Sequence, residues 1–295
     1  MRSLNPSRTA EHNAFLRAVE SLKPSAERIC IDPYARYFLS PQLMALYHDA
    51  EKCEQLIRHW EEIVPGVCGA VLARFRFIDA YLCKCLDSGL EQVVILGAGY
   101  DTRALRFKQR FDNRVKLFEL DHPATQAEKI RCLENMRASF SNPVVYVPIC
   151  FDTEKLDEKL FENGYQKDLF TLFIWEGVTY YIPHESIDET LLFISGNSEP
   201  GSAVVFDYLP CSVAEGTCLK QEAKGLKESL QHFGEDIVFG IDPGRIRAFL
   251  HSRGFCQVNS IAGDEFWRTC PKGRYQERSV SDIFMFAHAR VKPKP

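Results

Sequence analysis

The chain has 295 residues, 45% of them hydrophobic, and 36 Lys and Arg against 40 Asp and Glu give a formal net charge of −4. That length can bury a large core in one or two domains, and the even mixture of acids and bases leaves no basic face, so no nucleic-acid partner is expected. No apolar run approaches the roughly 20 residues that cross a bilayer, and Asn5, Arg8, Glu11 and His12 leave no apolar core for a secretory signal, so the expected location is cytoplasmic with no membrane partner.

Eleven cysteines are scattered singly, with no Cys-x-x-Cys. This spacing predicts reduced, buried thiols rather than disulfides, and no metal centre. Residues 9–22 place Ala14, Phe15, Ala18, Val19 and Leu22 on one stripe, an amphipathic helix stopped by Pro24. Residues 31–38 read as a turn into a second short helix. Residues 41–64 show no clear period, and Pro65-Gly66 interrupts them. Residues 69–86 are helical again, with Val71, Leu72, Phe75, Ile78 and Leu82 on the apolar side.

A short apolar run, 93–96, then predicts a buried strand. The alternation that follows is regular. Strands are expected at 115–120, 144–149, 169–175 and 203–208, and helices at 123–139, 154–161 and 183–196, which implies a parallel sheet covered on both faces. The pattern breaks at 209–240, where 220–233 reads as an inserted amphipathic helix and a lid over a substrate. Asp242-Pro243 predicts a helix start and Gly254 its end. Residues 255–262 and 282–291 read as a terminal hairpin joined by a polar loop containing Trp267. The expected fold is therefore α/β, doubly wound, with a mostly parallel seven-stranded sheet and an antiparallel C-terminal strand. One domain is expected over 1–295: a helical cap (1–68), a core (69–208), a lid insertion (209–240) and a C-terminal helix and hairpin (241–295).

The chemistry concentrates at Gly97-Ala98-Gly99, directly after the first strand. A strand, a glycine turn and a helix N-terminus make a nucleotide-binding corner at the carboxyl end of a sheet. A dinucleotide fingerprint wants a third glycine at 102 and no negative charge beside the pyrophosphate, but the chain has Thr102 and Asp101. A carboxylate there repels phosphates and suits a ligand carrying an ammonium and a sulfonium, such as S-adenosylmethionine. About 20 residues on, Glu119 and Asp121 are candidates for a ribose diol, because a carboxylate can accept from two hydroxyls.

Several segments in order carry a resemblance that spans nearly the whole chain. They are Thr9-Ala10 with Arg17-Ala18-Val19-Glu20, then Ile31-Asp32-Pro33-Tyr34-Ala35, and Ala73-Arg74-Phe75-Arg76-Phe77-Ile78-Asp79. The series continues with Leu96-Gly97-Ala98-Gly99-Tyr100-Asp101-Thr102-Arg103, Phe118-Glu119-Leu120-Asp121-His122-Pro123 and Trp175-Glu176-Gly177-Val178-Thr179-Tyr180-Tyr181-Ile182. The chain resembles the leucine carboxyl methyltransferase family of class I, Rossmann-like, S-adenosylmethionine-dependent methyltransferases, in particular its bacterial small-molecule branch.

The resemblance implies S-adenosyl-L-methionine as methyl donor, S-adenosyl-L-homocysteine as product, and a small-molecule acceptor methylated on a carboxyl or hydroxyl oxygen. It implies that Arg74, with Arg17 as a second candidate, pairs with the donor's carboxylate. Gly97, Ala98 and Gly99, with Asp101, would lie against its methionine part, Asp121 would hold its ribose, and Glu176 would face its ammonium. Tyr181 is implied near the acceptor as the catalytic candidate. The family's acid for the adenine amino group is replaced here by Cys150, a poor acceptor, so Asp152 is expected to take that role unless stacking and backbone groups do. His122 and His184 are candidate bases for a hydroxyl acceptor. Methylation of a protein C-terminus, non-catalytic donor binding and a dinucleotide oxidoreductase are the alternatives.

Overall fold

The computed structural model describes residues 6–136, 144–151, 153–271 and 277–293. Helix α1 (Arg8–Leu22) begins at Ser7, whose hydroxyl accepts from the Ala10 amide, and it buries Ala14, Phe15 and Ala18. A 3₁₀ turn at Ala35–Phe38 follows. Residues 41–64 form two helices, α2 (Pro41–Tyr47), capped by Ser40, and α3 (Ala50–Ile63), capped by Asp49. They do carry a helical period here: Cys53, Leu56, Ile57, Trp60 and Ile63 recur along one face of α3, with Cys53 buried and the others half-buried against the core. Helix α4 (Val67–Asp87) is buried over most of its length and leads into the sheet.

Strand β1 (Gln92–Leu96) is buried throughout. After the glycine corner come α5 (Arg103–Arg106), α6 (Lys108–Phe111), β2 (Lys116–Asp121) and α7 (Pro123–Asn135). The expected extension of α7 to residue 139 lies outside the described residues. Then follow β3 (Val144–Pro148), α8 (Leu156–Glu162), β4 (Thr171–Trp175), a 3₁₀ turn at Thr179–Tyr181, α9 (His184–Gly196) and β5 (Ala203–Tyr208).

After β5 the insertion forms α10 (Cys211–Ala214) and α11 (Gln221–His232). Asp242 does not cap a helix. Its Oδ1 accepts from the Gly244 amide at 2.8 Å in a tight turn, and α12 (Ile246–His251) begins after it. Strand β6 (Phe255–Ala262) is followed by a helix rather than a hairpin loop. That helix, α13 (Gly263–Thr269), opens with Asp264 and Glu265 and carries Trp267 into the core, which is why a polar sequence still folds there. Strand β7 (Met285–Val291) then returns, starting three residues later than expected.

The seven strands lie in the order β3-β2-β1-β4-β5-β7-β6. Strands β1 to β5 pair in parallel, and β7 pairs antiparallel with both β5 and β6. Alternate residues serve opposite faces: Val93, Ile95, Leu172, Ile174 and Val205 join one core, and Val94, Leu96, Phe173, Trp175, Val204 and Phe206 the other. The chain direction of the crossovers switches between β1 and β4, so a crevice opens at the carboxyl ends of the central strands.

Above that crevice the N-terminal helices meet the insertion. Gly225, in the middle of α11, sits so close to the end of α3 that an added Cβ would stand 1.9 Å from the Ile63 carbonyl oxygen. Glycine is what permits this approach. Cap and insertion thus touch backbone to backbone, as one roof.

Candidate active site

A cleft with about 1170 Å³ of empty space, mouth included, lies at the switch point. It brings together Arg17, Arg74, Gly97, Ala98, Gly99, Asp101, Asp121, Glu176 and Tyr181. These residues come from α1, α4, the ends of β1, β2 and β4, and the 3₁₀ turn beyond β4. His122 and Cys150 also line it.

The glycine corner is built by close packing. Gly97 has φ +68°, and a Cβ on it would stand 2.4 Å from Val178 Cγ2; Gly99 has φ +46°. Both are left-handed conformations that glycine adopts freely. Asp121, at the end of β2, accepts from the Gly99 amide with one carboxylate oxygen and from the His122 amide at 2.6 Å with the other. Two backbone donors fix its orientation and leave its remaining lone pairs for a ligand. Burial pushes its carboxyl above the usual range, against the pull of those amides. Glu119, two residues earlier, is spent on Lys129 Nζ at 2.5 Å and does not line the cleft.

Asp101 does not stand free beside the glycines as a bare charge. It accepts from the Arg103 amide at 2.6 Å and pairs with the Arg103 guanidinium. Burial alone would raise its carboxyl, but Arg103 and Lys129 outweigh it and hold it low. Arg103 is fully buried and also meets Asp79 Oδ1 at 2.8 Å and Glu176 Oε2 at 2.9 Å. Asp79 in turn pairs with Arg106 at 2.5 Å. Thr102, where a dinucleotide site would have glycine, gives its hydroxyl to Asp32 at 2.8 Å. The corner's unneutralised charge is therefore that of Asp121, which makes no ion pair among the described residues, and not that of Asp101.

Arg74 belongs to the same lattice. Its Nη1 donates to Asp207 Oδ2 at 2.9 Å and its Nε to Glu176 Oε1 at 3.2 Å. Asp207 also accepts from the Gly177 amide at 2.6 Å, which clamps the turn after β4 onto β5. Arg74 Nη2 makes no hydrogen bond among the described residues, and the side chain lines the cleft, so one arm of the fork remains for an anion. Glu176 sits between two arginines; burial would raise its carboxyl, but Arg103 and then Arg74 hold it below the usual range. Arg17 pairs with Asp32 at 2.9 Å and donates to the Tyr100 carbonyl at 2.7 Å.

Other expected residues fall elsewhere. His122 caps α7, with Nδ1 accepting from the Ala124 amide at 3.3 Å, an orientation that uses the lone pair a base would need. His184 is absent from the cleft lining and stands half-exposed at the start of α9, 3.7 Å from Asp188. Cys150 lines the cleft between Ile149 and Phe151, an apolar wall that suits an aromatic base. Asp152 lies outside the described residues.

Glu235 is the residue the pattern missed. It follows α11 after Gly234, is buried, lines the cleft, and accepts from the Thr9 hydroxyl at 2.8 Å. Within the insertion it is the single lining residue among those described. Its one sequence signal is an acid placed just after a glycine helix stop in an insertion expected to face the acceptor. Burial raises its carboxyl, and the Thr9 and Tyr181 hydroxyls pull the other way. Burial pushes the Tyr181 phenol far up, with Tyr180 and Glu235 adding to it, so Tyr181 stays protonated and acts as a donor, not a base.

A parallel sheet with an antiparallel strand inserted before its last edge, and a ligand crevice over its glycine corner, defines a class I methyltransferase. A family model described as leucine carboxyl methyltransferase matches residues 10–195. YktD of Bacillus subtilis, an S-adenosyl-L-methionine-dependent methyltransferase by name, is 28% identical over 225 residues, 74% of this chain and 71% of its own. A protein of Mycolicibacterium gilvum so named is 31% identical over 234 residues, 78% of this chain and 73% of its own. Among solved structures, a Thermobifida fusca protein named as a methyltransferase aligns with a TM-score of 0.62 at 12% identity, over 99% of this chain and 97% of its own. A DUF574-family protein from Streptomyces avermitilis aligns with a TM-score of 0.59 at 10% identity, over 93% and 100%. At those identities the likeness is one of fold. The chain belongs to the leucine carboxyl methyltransferase family of S-adenosylmethionine-dependent methyltransferases.

Proposed function

We propose that this protein transfers the methyl group of S-adenosylmethionine to an oxygen of a small molecule. The observation that carries the reading is the convergence of Arg74, Gly97, Gly99, Asp121 and Glu176 on one cleft at the switch point. Those residues fit the donor. The open arm of Arg74 suits its carboxylate, Asp121 its ribose diol, and Glu176 its ammonium, while Gly97, Ala98 and Gly99 allow close backbone approach. Asp101 contributes by fixing Arg103 rather than by touching the donor. Ile149, Cys150 and Phe151 hold the adenine by apolar contact.

The donor supplies a methyl group already activated on a cationic sulfur. The protein's share is to align the acceptor oxygen in line and to exclude water. Residues 1–68 and 209–240 act as cap and lid over the 69–208 core. A small acceptor is favoured over a protein C-terminus because α1 packs on the glycine corner and narrows the cleft it lines: a Cβ on Gly99 would lie 3.1 Å from Ala10 Cβ. Titration calorimetry with S-adenosylmethionine and with NADH tests the donor. Binding of the first alone is expected, and binding of NADH in its place would remove the reading.

A further inference from the structure

The roof end of the cleft has a charge pattern of its own. Glu235 is held there by the Thr9 hydroxyl at 2.8 Å, with the Tyr181 hydroxyl as its other polar neighbour. The loop that carries it is pinned beside the 3₁₀ turn, since the Val238 amide donates to the Tyr180 carbonyl at 2.9 Å. Among the described residues no cation pairs with this carboxylate. Of the two arginines that line the cleft, Arg17 pairs with Asp32 and Arg74 with Asp207 and Glu176, and the open arm of Arg74 is the one assigned to the donor's carboxylate. His12, packed between Trp60 and Phe233, is pushed below its ordinary 6.5 by burial.

An acceptor carboxylate placed here would meet the Glu235 carboxylate, which pairs with no cation among the described residues. A neutral hydroxyl would meet a carboxylate able to take its proton and a phenol able to donate to its oxygen. We infer that Glu235 is the general base of the reaction and that the acceptor is an alcohol or phenol rather than a carboxylic acid. This rests on the donor assignment above. As the acceptor oxygen forms its bond to the methyl carbon, the O–H proton passes to the Glu235 carboxylate. The carbon–sulfur bond breaks with its electron pair left on sulfur, and Glu235 later returns the proton to solvent.

The test is a matched pair of probes, phenol and benzoate, titrated by saturation-transfer NMR against the full chain with S-adenosylhomocysteine. The wild type should bind phenol and exclude benzoate. Glu235→Gln should admit benzoate about tenfold better and hold phenol less well. Glu235→Ala repeats the anion measurement should the glutamine variant not fold. With labelled donor and a panel of phenols and aromatic acids, the products should be ethers, and transfer should fall about a hundredfold in Glu235→Gln. Benzoate preferred by the wild type, no phenol binding, an unchanged pattern in both variants, or methyl esters as products would each overturn the proposal. Calorimetry with S-adenosylmethionine on the same samples separates the two readings: loss of donor binding speaks against the donor site, and benzoate preference with the donor bound speaks against Glu235 alone.

Discussion

At the glycine corner three arginines, Arg74, Arg103 and Arg106, are interleaved with Asp79, Asp101, Glu176 and Asp207, whereas at the roof Glu235 meets, among the described residues, the hydroxyls of Thr9 and Tyr181. Burial pushes Asp101, Glu176, Asp207 and Glu235 up, and the outcome depends on what stands opposite. Glu176 ends low because two guanidiniums outweigh desolvation, and Glu235 ends high because the Thr9 and Tyr181 hydroxyls do not. The first arrangement holds a site rigid. The second keeps a carboxylate reactive.

Breaking the arginine lattice should have the largest effect. Arg103→Leu leaves Asp79, Asp101 and Glu176 buried around an apolar side chain, and is expected to cost about 3–5 kcal/mol of stability in denaturant unfolding. Glu176→Gln should cost less, about 1–3 kcal/mol. Its pH dependence sharpens the contrast: the folded carboxyl lies below its ordinary 4.5, so the stabilisation is present above that value and is lost as pH falls through the folded pKa. The gap between wild type and variant should close in acid. Asp121→Ala should weaken S-adenosylmethionine binding by about 1–3 kcal/mol, roughly five- to a hundredfold in Kd by calorimetry. An unchanged Kd would falsify its assignment to the ribose.

The smallest effect should have the opposite sign. Glu235 has a folded carboxyl above its ordinary 4.5, so its charge is a liability that grows as pH rises past that value. Glu235→Gln should therefore melt higher than wild type at neutral pH, with the gain fading below pH 4.5. A variant that melts lower at neutral pH would mean that the carboxylate has a cationic partner after all.

The sequence made the donor side readable and the acceptor side nearly opaque, for a physical reason. Strands β1, β2, β4 and β5 are buried on both faces, so each appears as an apolar run, and the residues that end them occupy fixed places at the cleft. Asp121 and Glu176 follow from that register. The lattice around them does not, because Arg74 reaches Asp207 and Arg103 reaches Asp79 across distant elements, and no local pattern encodes such pairs. Asp101 therefore reads as an isolated charge until Arg103 is found lying against it. Helix α3 does carry an apolar stripe, at Cys53, Leu56, Ile57, Trp60 and Ile63, which the charged residues between them obscured, and α13 was hidden by its polarity. Glu235 sits in a segment without a period, and the contact of α11 with α3 at Gly225, more than its neighbours in sequence, sets its position.

The place of β7 has a further consequence. The latest strand in this sequence does not extend an edge; it fills a gap between β5 and β6, two strands already in the chain before it. Until it arrives, each of those strands presents an open row of amides and carbonyls, the kind of surface on which unrelated chains stick together. A nascent molecule held just short of residue 285 would therefore be the species most in need of a chaperone.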